Sequence, residues 1–314
     1  MSTATYLGLA ALLCCAPFTA PAHDGPEHEI EELTERMKKF GETPELLTER
    51  AVEFRLLGKL AEATKDLERA AALDPGSIAI HRELGRVLFV GEKPKEALAI
   101  VTRGLTLKSD EPADLASLRM LRAEILRFQK ENKKALEDCD AGLLLHKQNP
   151  EWYLLRSDIQ KRLNAHKERL AGLEEGIKQT GSGVLEIERV EALIDAGQFP
   201  AALKVIEVEL KDSRIKSSWL IRRGRALLGM GNKAEAERDL KNALEEIATR
   251  LNPKSPDVPL LLDKAVAHEL LGEKTDALRA YEDARDKGAA GDVNEKIKSL
   301  QEAADAQSAP AAKP

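Results

Sequence analysis

The stretch LLGKLAEATKDLERAAALDP, residues 56–75, determines which fold the chain adopts. A helical pattern breaks after Gly58, resumes at once and ends at Asp74-Pro75, because a residue before proline disfavours the helical conformation. The stretch therefore predicts a helical hairpin. Whether this hairpin stands alone or recurs then decides the architecture of the whole chain.

Small residues recur along the chain at nearly constant spacing. Counted from Ala63, the successive equivalent positions are 34, 38, 34, 33, 34 and 41 residues apart. Two antiparallel helices pack closely only where small side chains let their backbones approach, so this pattern predicts about seven hairpins. The equivalent positions are Ala63, Ala97, Ala135, Arg169, Ala202, Ala236 and Ala277. A second set lies twelve residues earlier in each copy, and we call its members the early small positions. They are Ala51, Gly85, Ala123, Ser157, Val190, Gly224 and Ala265.

With this period of about 34 residues and these small positions, the chain resembles the tetratricopeptide-repeat family, in its exported bacterial type. The resemblance covers roughly residues 44–288. It implies an all-α fold, a right-handed α-solenoid of about seven helical hairpins with a C-terminal capping helix. Copy four departs most from the pattern, since Arg169 occupies a small position and Gln160 an apolar one. Copy five has Glu209 where a small residue is usual.

The repeat boundaries predict the organisation of the chain. The segment TGSG at 180–183 is the joint at which we place a hinge between copies four and five. The tail after residue 303 has low complexity and is expected to be disordered. The predicted segments are a signal peptide (1–22), an N-terminal segment with a short helix (23–43), copies one to four (44–179), copies five to seven (180–290), a capping helix (291–303) and the tail (304–314).

The first 22 residues carry no charged side chain and contain an apolar run, followed by Ala20-Pro21-Ala22. This pattern is typical of a cleaved signal peptide, although Lys and Arg are missing from its first residues. The run is shorter than the ~20 residues that span a bilayer. We therefore expect a periplasmic or secreted protein. The alternative is a lipid anchor on Cys14 or Cys15, although Leu13 stands where a lipoprotein signal has a small residue.

Composition and motifs argue against several function classes. The net charge of −6, with both signs mixed along the chain, argues against nonspecific nucleic-acid binding, which needs a basic surface. The sequence contains no Walker A, HExxH, GxSxG or CxxC motif. Cys139 fills an apolar position and is expected to be buried. We therefore predict no catalytic residues, no cofactor and no enzyme, and an enzyme subunit remains only as an unsupported third possibility.

A metal-handling protein is the alternative function. Cleavage after Ala22 would make His23 the first residue, so that its amine and ring nitrogen could bind one metal ion and His28 could add a third nitrogen. Copper(II) favours such nitrogen-rich sites. The competing interpretation is an ordinary N-terminus ahead of a short helix from Glu29 to Phe40.

The main prediction is a protein–protein interaction scaffold. By resemblance to the family, the first helix of each hairpin lines the concave groove, and groove residues lie three before and one, four and five after the early small position. Guanidinium groups bind carboxylates with two hydrogen bonds, so a protein or peptide ligand with acidic character is expected. The predicted groove residues are Arg82, Arg86, Phe89, Arg127, Phe128, Lys161, Arg162 and Arg225.

Overall fold

The computed structural model describes residues 25–252, 254–255, 257–289 and 293–308. The predicted signal peptide, His23 and the last six residues lie outside this part of the chain. The described residues form sixteen α-helices and no β-strand. The helices are α1 (Gly25–Phe40), α2 (Pro44–Leu56), α3 (Leu60–Leu73), α4 (Ile78–Val90), α5 (Pro94–Gly104), α6 (Pro112–Phe128), α7 (Asn132–Leu145), α8 (Pro150–Arg162), α9 (His166–Thr180), α10 (Gly183–Asp195), α11 (Phe199–Asp212), α12 (Ser217–Gly229), α13 (Lys233–Arg250), α14 (Val258–Leu271), α15 (Lys274–Asp286) and α16 (Val293–Ser308).

The chain divides into two compact units, of which the first ends at Gln129 and the second begins at Lys130. Within each unit every helix packs on the next one along the chain. The first helices of neighbouring hairpins also pack on one another: α2, α4 and α6 in the first unit, and α8, α10, α12 and α14 in the second. We call these the A helices and their hairpin partners the B helices. The A helices of neighbouring hairpins thus form one continuous face of each unit, which we call the A-helix face.

The predicted small positions are where the helices cross. All six alanines of the set that begins at Ala63 are fully buried. A Cβ atom on Gly85 would overlap the side chain of Val101, and one on Gly224 would lie 3.0 Å from the side chain of Leu240. The all-α fold of tetratricopeptide-like hairpins predicted from these positions is confirmed.

The turn within each hairpin uses one left-handed residue, five before the small position. Gly58, Gly197, Gly231 and Gly272 have φ between 69° and 80°, as expected for a glycine cap. Copies two, three and four place Glu92, Lys130 and Asn164 there, with φ of 59°, 64° and 54°. The same backbone conformation is therefore kept where the sequence lacks glycine, at a cost in strain.

Copy four accommodates the large residue at its small position by pairing the charge. Arg169 is only 1% exposed. Its guanidinium donates to Ser157 Oγ at 2.9 Å, to Glu188 Oε1 at 2.7 Å and to Asp195 Oδ2 at 2.9 Å. Burial lowers the pKa of Arg169, but the hydrogen bonds to Glu188 and Asp195 raise it above its ordinary value. The guanidinium therefore stays charged. Its ion pairs connect α9 to α10 across residues 180–183. The hinge placed at these residues remains a prediction.

Two hairpins contain a buried ion pair at equivalent positions. In copy one, the Nε and Nη2 atoms of Arg50 donate to the carboxylate of Asp66 at 2.7 and 2.9 Å. In copy six, the same atoms of Arg223 donate to Asp239 at 2.6 and 2.7 Å. Hydrogen bonding to Asp239 raises the pKa of Arg223. Each pair fastens an A helix to its B helix beside the small position.

Both ends of the array are covered by a single helix. At the start, Leu33 and Met37 of α1 are buried against the first unit. At the end, Val293 and Ile297 of α16 pack against α14 and α15, and Lys296 Nζ donates to Glu269 Oε1 at 2.7 Å. The cap extends to Ser308, beyond the predicted end at residue 303. None of the described helices is long and apolar enough to span a membrane.

The left-handed turn gives a first test of stability. Replacing Glu92 by glycine relieves the strain of a positive φ, so the variant should unfold at higher urea, with a gain of about 0.5–1 kcal/mol. Asn164→Gly is the graded control and should gain less, since asparagine tolerates this conformation. A lower urea midpoint for Glu92→Gly than for the unchanged protein would contradict the strain.

The buried ion pair of copy six gives a second test. Asp239 is 1% exposed, so Asp239→Ala leaves the Arg223 guanidinium without its buried partner. The variant should lose about 3 kcal/mol of stability in chemical denaturation. Glu237→Ala on the same helix is the control, because Glu237 pairs with Lys241 on the exposed face and should change the stability little. Equal losses in the two variants would refute a special role for Asp239.

Candidate functional site

The A-helix face of the first unit carries a series of exposed apolar side chains. Five residues after the early small position stand Leu56 on α2, Val90 on α4 and Phe128 on α6, which are 58%, 55% and 64% exposed. Their three helices pack side by side. Exposed apolar side chains at equivalent positions of neighbouring helices provide a surface that a partner can cover.

Two of the predicted aromatic residues come together on this face. The rings of Phe89 on α4 and Phe128 on α6 lie 5.6 Å apart between centroids, with an angle of 82° between their planes. This edge-to-face arrangement is a favourable one for aromatic rings. The pair fixes the Phe128 ring at the surface, where a ligand side chain can pack against it.

The predicted arginines of α4 lie in different surroundings. Arg82 Nε donates to Glu83 Oε1 at 3.1 Å, and the other oxygen of Glu83 lies 3.8 Å from Arg55 Nη2. Arg86 is half-buried, and within the described part of the chain no hydrogen bond or ion pair joins it. It lies one helical turn before Phe89 and Val90 on α4. Its guanidinium can therefore donate hydrogen bonds to an incoming carboxylate without first losing a partner.

We define the α4–α6 surface as Arg82, Arg86, Phe89, Val90 and Phe128. It combines a cation with aromatic and aliphatic side chains, which suits a segment that carries both a carboxylate and an apolar side chain. The predicted residue Arg127 is half-buried near the end of α6, next to Phe128.

The predicted cations of the second unit are already paired within the chain. Lys161 Nζ on α8 lies 3.0 Å from Asp195 Oδ2, and Arg162 Nε lies 3.0 Å from Asp158 Oδ2 one turn away. Arg225 on α12 binds Glu191 and also reaches Asp195 at 3.4 Å. A ligand carboxylate at these cations would therefore compete with carboxylates that the protein itself supplies.

Asp195 is the centre of this pairing. It lies at the end of α10 and forms ion pairs with Lys161 of α8, Arg169 of α9 and Arg225 of α12. Burial raises the pKa of Asp195, but the hydrogen bonds from Arg169 and Lys161 lower it below its ordinary value. Asp195 is therefore ionised throughout the neutral pH range.

Three residues of these surfaces were missed by sequence reasoning. Glu191 and Asp195 stand one and five residues after Val190, so the offsets used for copies two, three, four and six identify them when applied to copy five. The same offsets identify Leu56 in copy one. The signal was therefore in the repeat itself, whereas the pairing of the carboxylates with Lys161 and Arg225 depends on distances between helices.

The predicted copper site falls only partly within the described residues. His23 lies outside them, and His28 is exposed on α1. Elsewhere in the described chain, the side chains of His268, Glu273 and Asp276 bring their donor atoms within 4.8 Å of one another. His268 Nδ1 lies 2.6 Å from Glu273 Oε2. An imidazole at the end of α14 and carboxylates at the start of α15 complement the helix dipoles, which explains this cluster structurally.

Comparisons with known proteins agree with this architecture. Family models of the tetratricopeptide repeat match residues 55–125 and residues 221–293. None of the curated proteins compared with the chain matches it.

Similar solved structures span most of the chain. A tetratricopeptide repeat protein from Parabacteroides merdae is 18% identical, has a TM-score of 0.60, and the match covers 87% of this chain and 99% of that one. Yeast Tom70 is 19% identical with a TM-score of 0.54, over 90% of this chain and 60% of its own. The Cut9–Hcn1 assembly of APC/C is 11% identical with a TM-score of 0.53, over 79% and 46%. At these identities the likeness concerns the fold.

The repeat spacing, the buried small residues at the helix crossings, the left-handed turns and the two family matches therefore agree. The chain is a tetratricopeptide-repeat protein.

Proposed function

We propose that the protein is a non-enzymatic scaffold that binds a partner protein on the α4–α6 surface of its first unit, in an extracytoplasmic compartment. Tetratricopeptide-repeat proteins are generally interaction scaffolds without enzymatic activity, and they bind proteins or peptides. The partner segment has acidic character and carries at least one apolar side chain. The signal-like first 22 residues support the extracytoplasmic compartment.

The single observation that carries the proposal is the contrast between Arg86 and the other predicted cations. Arg86 has no hydrogen bond or ion pair among the described residues, whereas Lys161, Arg162 and Arg225 each have a carboxylate partner. Arg86 lies on the helix whose Phe89 ring packs against the exposed Phe128 ring, so this surface offers both a charged and an apolar contact. Since Arg86 is half-buried, part of the cost of removing it from water has already been met in the free protein.

The first test combines Arg82→Glu with Arg86→Glu. The variant replaces attraction for a carboxylate by repulsion, so a partner captured by crosslinking in the native host should bind at least about tenfold more weakly. Titration calorimetry with the captured partner measures the change. The matched control is Lys95→Glu with Arg103→Glu, which makes the same change in charge at exposed positions of α5.

The controls separate the surface from the overall charge. If both double variants lose binding equally, the effect is one of net charge and the α4–α6 surface is not the binding site. If neither loses binding, the partner docks elsewhere on the protein. Phe128→Ala adds an independent readout, since it removes the exposed ring without changing the charge and should also weaken binding.

The location of the protein is tested by its N-terminus. Protein isolated from the native host should begin at His23 when its intact mass and first residues are determined by mass spectrometry. A chain that keeps Met1 and is recovered with cytoplasmic proteins would refute export. A mature chain beginning at Cys14 or Cys15 with the mass of an added lipid would instead identify the anchored form.

A further inference from the structure

Three neighbouring A helices of the second unit present alternating charges. Lys161 on α8 and Arg225 on α12 both contact Asp195, which lies at the end of the intervening helix α10. Glu191, one turn earlier on α10, binds Arg225 and lies 2.8 Å from Arg222 Nε. The two carboxylates of α10 thus lie between cations from the helices on either side.

The position of Asp195 relates this cluster to the surface of the first unit. Asp195 stands five residues after the early small position of copy five, where the first three copies have Leu56, Val90 and Phe128. Those side chains are more than half exposed. Lys161, which binds Asp195, is itself 54% exposed. The ion pair therefore lies on the side of the repeat that meets solvent and ligands.

We infer that Lys161 and Arg225 form a second carboxylate-binding site and that Asp195 and Glu191 are its intramolecular occupants. The ligand class is an acidic peptide segment whose neighbouring side-chain carboxylates take the places of these two residues. In the free protein the site is closed, because a ligand must displace carboxylates that are held at high effective concentration by the same chain. An acidic partner is thereby directed away from the second unit.

Glu191 and Asp195 differ in what else they support. Asp195 also neutralises Arg169, which is buried and needs a charged partner. Glu191 contacts Arg222 and Arg225, and both of these guanidinium groups are partly exposed. Water can solvate the Arg225 guanidinium when Glu191 is replaced, but the Nε atom of Arg222 is buried and needs an oxygen beside it. Glu191→Gln keeps such an oxygen while removing the charge. The two carboxylates can accordingly be tested separately.

The experiment measures binding of a fluorescent hexaglutamate peptide to the full chain by anisotropy at low salt. Glu191→Gln with Asp195→Asn, which we call the opened variant, should bind the peptide about tenfold more tightly than the unchanged protein. This is the gain expected when Lys161 and Arg225 form charge-assisted hydrogen bonds to the peptide carboxylates. The matched control, Glu186→Gln with Glu207→Gln, removes two charges from the same repeat and should leave the affinity near its original value. Adding Lys161→Ala and Arg225→Ala to the opened variant should abolish the gain.

Each outcome bears on the closed site. No gain in the opened variant, or an equal gain in the control, would overturn the inference. If the double variant has a lowered melting temperature, Glu191→Gln alone carries the test, because it leaves Asp195 on Arg169. A gain of at least about threefold is then expected, and its absence would be equally decisive.

The inference is independent of the proposed function, and a further variant keeps the two apart. Repeating the titration with Arg82→Glu and Arg86→Glu present removes any contribution of the α4–α6 surface. The gain from opening the second site should persist in that background. A gain that disappears there would show that the tighter binding depends on the α4–α6 surface and not on Lys161 and Arg225 alone, which overturns the second site.

Discussion

In copies one, two, five, six and seven the two helices of the hairpin pack closely where the residue at the small position is a fully buried alanine. The crossing at Gly85 shows how little room is left, since an added Cβ would overlap Val101. Large apolar side chains one turn away, such as Leu67 and Leu240, then fill the space beside the crossing. This contact sets the register of one helix on the other. It therefore determines which residues of each A helix are exposed on the A-helix face.

Copy four shows what happens when this constraint is relaxed. Arg169 is larger than alanine and charged, and burying it without partners would be prohibitive. Ser157, Glu188 and Asp195 supply those partners, so a local departure from the repeat is compensated by residues of the same and the next copy. Replacing a buried network by apolar residues is often neutral or stabilising in other proteins. What the network adds here is a specific joining of α9 to α10.

The fold could be predicted from the sequence because small residues and glycine turns report on backbone geometry directly. The left-handed turns at Glu92 and Lys130 could not, since these residue types do not indicate a positive φ, whereas Asn164 is a type that tolerates it. The ion pair of Arg223 with Asp239 was missed because it requires two side chains on different helices to meet. The groove arginines were placed on their helices from the repeat offsets, but the offsets do not reveal that Lys161 and Arg225 meet Asp195.

The pairing of Lys161 and Arg225 within the chain follows from copy five. Its A helix carries carboxylates at two outward positions, whereas the A helix of copy two carries Arg86 and Val90 there. A cation that lies beside such a carboxylate is neutralised within the chain, and a ligand gains only the difference between two similar contacts. A ligand that binds a cation without such a neighbour gains the full binding free energy of the contact. The repeats share one backbone, so the identity of a few outward side chains, rather than the fold, decides where an acidic partner can bind.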